Sequence, residues 1–157
     1  MSSVALSGSL VAGSRTDRQR TGAGVSKGRY AKIALATTVL ATLANVAVYF
    51  LADLFVNYHP DFVILQNVSP AVMFTVIPGV VGSLLYAGLL RFTSQPARIF
   101  KVVAAIVFVV TTVPDFTYIP GVEGASTAQA AVLVLMHVVA ATIITVMLTK
   151  LARPAKS

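Results

Sequence analysis

The chain contains no cysteine, which removes disulfide frameworks, thiolate metal sites and cysteine nucleophiles together and leaves the redox compartment unread. It is almost as poor in charge. Asp, Glu, Lys and Arg make up 11% of the residues, against roughly 25% in soluble domains. It has only two histidines, His59 and His137. Haem held between facing histidines needs both at one depth, and His59 falls in a connecting segment. Asp53, His59 and Asp61 lie close in sequence, but their spacing fits no standard metal site, and a solvated loop is the better account of them. A glycine-rich phosphate loop, a nucleophile elbow and an HExxH helix are all missing. The expectation is a non-enzymatic protein without cofactor or metal.

What the sequence has in abundance is apolar length. Of its 157 residues, 57% are hydrophobic and mean hydropathy is +0.85. A bilayer core of about 30 Å takes roughly 20 apolar residues in helical form, and four such runs follow one another at about 33–56, 70–90, 99–119 and 128–150. The fold class expected is all-α, an integral membrane four-helix bundle. Residues 1–31 form a basic cytoplasmic tail rich in Ser, Gly, Thr and Arg, expected to be disordered. Residues 32–151 are the membrane domain, and 152–157 a short second tail.

The net charge of +7 does not indicate nucleic acid, because the basic residues flank the apolar runs instead of forming one exposed face. Arg15, Arg18, Arg20, Lys27, Arg29 and Lys32 precede the first run; Arg91, Arg98 and Lys101 lie between the second and third; Lys150, Arg153 and Lys156 follow the fourth. All of these fall on one side of a four-span arrangement, and Asp53, Asp61, Asp115 and Glu123 fall toward the other. The positive-inside rule then puts both termini in the cytoplasm. Aromatic belts are expected at both boundaries, with Tyr30, Tyr86, Phe92 and Phe100 at the inner one and Phe50, Phe55, Tyr58, Phe62, Phe116 and Tyr118 at the outer.

Local signals mark the helix ends. Ser69 before Pro70 reads as a capping hydroxyl followed by proline at the first helical position. Ser126 with Gln129 three residues on has the form of a capping box. Pro78 interrupts the second run and Pro114 the third. Gly79, Ser83 and Ala87 share one face at four-residue spacing, the pattern that lets membrane helices approach closely. This face is expected to pack, through a partner protein, a second copy or a neighbouring helix.

Polar residues within the spans are costly and few. Counting inward from Lys32, Arg91, Lys101 and Lys150, the residues Asn45, Pro78, Asp115 and His137 all fall roughly 20 Å from the basic end. They are expected to form one polar cluster, with Asp115 and His137 as its central pair and the open backbone near Pro78 beside it. Two readings stand. The pair locks helices together, each group satisfying the other, or it moves protons as part of a small proton-coupled transporter or channel component. A shift of one turn would instead leave Asp115 in the outer loop. The stripes His137, Ala141, Thr145 and Thr37, Ala41, Asn45 read as packing faces.

The basic tail, TTVPDFTYIP at the end of the third span and LMHVVAATII in the fourth resemble a group of small four-helix bacterial inner-membrane proteins of uncharacterised function. The likeness covers about Lys32 to Leu151. It implies the bacterial inner membrane as location and carries no activity, so a structural or accessory role is the leading expectation. The lipid bilayer is the one partner the sequence names outright.

Overall fold

The computed structural model describes residues 25–152, in which four helices run up and down as a bundle. They are α1 (Lys27–Val56), α2 (Ser69–Phe92), α3 (Pro96–Thr117) and α4 (Thr127–Leu151), with a 3₁₀ turn at Ile119–Gly121. All four are long and apolar enough to cross a membrane. Residues 1–24 of the expected tail, and Arg153, Pro154 and Lys156, lie outside the described residues. Residues 27–31, assigned to the tail from sequence, are helical. Their helix begins early because Ser26 caps it, its hydroxyl accepting from the Arg29 N–H at 3.3 Å.

Around the bundle, α1 packs between α2 and α4, and α3 packs on α4 and more lightly on α2; α1 and α3 lie diagonally opposite. The expected small-residue face of α2 does pack, and its partner is α1. A Cβ on Gly79 would come within 3.0 Å of the Thr38 side chain, and the Tyr30 hydroxyl donates to the Ser83 carbonyl. Gly79 and Ser83 are buried and Ala87 half-buried. Of the three alternatives, a neighbouring helix of the same chain fills this face.

The core divides into two apolar clusters. The one at the basic end holds Ala41, Tyr86, Phe100, Ile144 and Leu148, with the rings of Tyr86 and Phe100 edge to face at 5.1 Å. The other holds Tyr49, Ala71, Ile119, Val132, Leu133 and Met136 together with two loop residues, Phe62 and Leu65. Tyr86, Phe100 and Phe62 were expected at the membrane boundaries. All three rings turn inward, where they gain more contact than a belt position offers.

The α1–α2 loop thus closes one mouth of the bundle as a plug. Asn57 ends α1 in the left-handed conformation at φ 47°, a position Asn tolerates better than most residues. The Asp53 carboxylate accepts from the Tyr58 N–H at 3.1 Å. The Tyr58 hydroxyl donates to the Tyr49 carbonyl at 2.8 Å, and the Tyr49 hydroxyl donates to the Leu65 carbonyl at 2.9 Å. Burial, helped by the nearby Asp53 charge, pushes the Tyr58 phenol up to about 12, so it remains a donor at any ordinary pH. The α3–α4 loop braces it: Gly124, at φ +73°, sits where an added Cβ would come within 2.8 Å of the Phe62 nitrogen.

Two expected caps differ in detail. Ser69 is the first residue of α2 and makes no capping bond; its own N–H donates to the Asn67 side chain at 3.0 Å, so Asn67 shapes the turn. Ser126 caps α4 by accepting from the Gln129 N–H at 3.2 Å. The return half of the box does not form, because the Gln129 side chain points into the bundle and is buried.

Candidate functional site

Between the two apolar clusters the helices present polar or small side chains to one another. On α1 this is Asn45, midway between the core residues Ala41 and Tyr49; on α2 it is Thr75, between Ala71 and Tyr86. On α3 it is Thr112 and Asp115, and on α4 His137, one residue past the core residue Met136. A fixed rise of 1.5 Å per residue made this level legible from the charged anchors.

Asp115 is buried on α3, within the helix and not in the outer loop. Its Oδ2 lies 3.4 Å from His137 Nδ1, and the two side chains are 7% and 35% exposed respectively. The expected pair therefore exists, across the α3–α4 seam. Its geometry is looser than a tight hydrogen bond. His137 Nδ1 also lies 2.9 Å from the Leu133 carbonyl, which only accepts, so a hydrogen bond here uses the tautomer with its proton on Nδ1. That N–H is directed to its own helix, while Oδ2 of Asp115 has no hydrogen-bond partner among the described residues.

Asn45 does not join them. Its amide donates to Thr75 Oγ1 at 2.8 Å, and Thr75 in turn donates to the Ala71 carbonyl at 2.7 Å. The expected single cluster is two separate pairs, because Asn45 stands on α1 and Asp115 on α3, the two helices that do not touch. Pro78 is likewise not beside the pair. It is exposed on the outward side of α2, and Thr75 and Gly79 face inward in its place. Thr75 was missed in the sequence although it precedes Gly79 and Ser83 at the same four-residue spacing.

Gln129 was also missed as a core residue. It is 2% exposed, and neither amide atom has a partner among the described residues; Asn45 Oδ1 is in the same state. The hydroxyls behave differently. Thr37, Thr38, Thr42, Thr75, Ser83, Thr112 and Thr149 each donate to the carbonyl four residues back in their own helix at 2.6 to 3.1 Å. These donors are used locally, so the Thr37, Ala41, Asn45 stripe is polar in composition yet serves as a packing face.

Near the plug, His59 and Asp61 lie 3.5 Å apart and exposed, while Asp53 is committed to the Tyr58 N–H. Among the described residues no three His, Asp or Glu side chains gather as a metal-binding group.

No curated protein and no solved structure matches the chain. A family match does cover residues 25–154, taking in all four helices, both loops and the two polar pairs. A chain of four apolar helices matched over that length belongs to the family described as "Family of unknown function (DUF6069)".

Proposed function

We propose that this is a multi-pass protein of the bacterial inner membrane, both termini cytoplasmic, with a non-enzymatic structural or accessory role. In this role the two polar pairs fix which helix faces meet. The observation that carries the reading is the placement of those pairs. Asn45 hydrogen-bonds Thr75 across the α1–α2 seam, His137 lies 3.4 Å from Asp115 across the α3–α4 seam, and both pairs sit between apolar clusters, the outer of which is closed by Phe62 and Leu65. A partner protein or second copy would have to use outward side chains, since the Gly79 face is occupied by α1. The competing reading, a small proton-coupled transporter or channel component, draws on the same Asp115–His137 contact and on the unpartnered Asp115 Oδ2.

The two readings separate in reconstituted liposomes under an imposed pH gradient. The expected result is proton flux no greater than in empty liposomes for the native protein, Asp115→Asn and His137→Ala alike. Both variants lose stability modestly, about 0.6 kcal/mol and at most about 1.7 kcal/mol, as polar contacts between membrane helices do. Native flux abolished by either substitution would overturn the structural role.

Orientation has its own check. The chain has no cysteine, so Ser94→Cys in the α2–α3 turn and Glu123→Cys before α4 are each the sole thiol and both exposed. In intact cells an impermeant maleimide is expected to label Glu123→Cys and spare Ser94→Cys; the reverse pattern inverts the topology.

A further inference from the structure

The seam between α3 and α4 opens toward the basic end of the bundle into a groove of about 440 Å³, lined by Lys101, Ala104, Ala105, Phe108, Ala141 and Thr145 among others. Its width comes from the sequence. The facing positions carry mostly Ala and Thr, while the ring next to Lys101, Phe100, turns into the core against Tyr86. The walls are largely apolar. From Lys101 to Phe108 the groove follows two turns of α3, about 10 Å. At its mouth the Lys101 ammonium is exposed and makes no ion pair among the described residues. Arg98, one turn nearer the helix start, lines a separate depression with Ser94, Ile99 and Val102.

We propose that this groove binds an anionic phospholipid, one acyl chain lying along the Ala104, Ala105, Phe108 and Ala141 wall and the phosphate held by Lys101. The occupant follows from charge and depth. An apolar groove that begins at an unpaired lysine near the start of α3 matches a molecule with a negative head and a hydrocarbon tail. Basic pockets between membrane helices select anionic headgroups in this way. Ala104, Ala105, Ala141 and Thr145 leave a shallow trough between α3 and α4, and a tail lying in it touches both helices. The inference rests on the reading that the four helices cross a bilayer, and it is independent of what Asp115 and His137 do.

The test uses the full chain in detergent, titrated with phosphatidylglycerol or phosphatidylcholine of equal chain length and followed by native mass spectrometry. Phosphatidylglycerol is expected to bind about five-fold more tightly, the contribution of roughly one lysine at a membrane surface. Lys101→Gln brings the two lipids to near parity. Ala105→Leu, at an exposed position clear of the core, fills the groove and weakens both. Arg29→Gln removes a cation from the same end on α1 and leaves the preference intact. Equal binding of the two lipids by the native protein, an undiminished preference in Lys101→Gln, unchanged binding in Ala105→Leu, or an equal loss in Arg29→Gln would each overturn the site. Proton flux and the Asp115 and His137 variants do not enter this readout, so either proposal can fail alone.

Discussion

Replacing Phe62 with alanine is expected to destabilise the bundle by about 3 to 5 kcal/mol, the usual cost of removing a buried phenyl ring. Phe62 has no exposed surface although it belongs to a loop, and its cluster includes Tyr49 of α1, Ala71 of α2 and Val132, Leu133 and Met136 of α4. The cavity left behind would be bordered by three helices and could not collapse without moving one of them. Val63, the next residue, is 64% exposed, so Val63→Ala should cost less than about 0.5 kcal/mol. With no tryptophan in the chain, circular dichroism during thermal unfolding in detergent is the suitable measurement. Equal melting temperatures for the two variants would show that the plug does not support the bundle.

The second large effect is expected at Gly124. A residue with a Cβ pays about 1 to 2 kcal/mol to hold the left-handed conformation, and here the added atom would also come within 2.8 Å of both the Phe62 nitrogen and His59 Nδ1 and 3.1 Å of the Asp61 carbonyl carbon. Two of those three neighbours are backbone, so the loop itself must shift. Gly124→Ala should therefore destabilise by about 2 to 4 kcal/mol. Gly121, three residues earlier, has nothing within 4 Å of an added Cβ, and Gly121→Ala should be nearly neutral. Because the Gly124 clash acts through the backbone of Phe62, the double variant with Phe62→Ala should lose less than the sum of the two. Strict additivity would separate the α3–α4 loop from the plug.

Much of this architecture could be read from the sequence, for reasons visible at particular residues. Runs of about 20 apolar residues between charged anchors leave little alternative to spanning helices. The constant helical rise puts Asp115 and His137 at one level by counting residues alone. What could not be read was rotation and adjacency. Nothing local says that α1 and α3 stand on a diagonal, so Asn45 was grouped with Asp115 when its partner is Thr75. Phe62 and Leu65 lie in a polar-looking segment, NYHPDFVILQNVS, whose burial depends on the bundle mouth being open beneath it. Gln129 carried a strong local signal as a cap partner, and the bundle interior prevailed over it. The α3–α4 groove likewise arises from the way Phe100 turns, a choice that α2 makes through Tyr86.

The arrangement of neighbours also bears on how the chain is made. Helices emerge from the ribosome in order, and α1, the earliest made of these four, has α2 and α4 as its flanking helices. Its Ala41 and Tyr49 belong to clusters whose α4 members, Leu148, Ile144, Met136 and Val132, are synthesised after α1, α2 and α3. Until α4 is made, the α1 face that packs on it has no helix of the bundle against it, so closure of the bundle waits on the fourth helix.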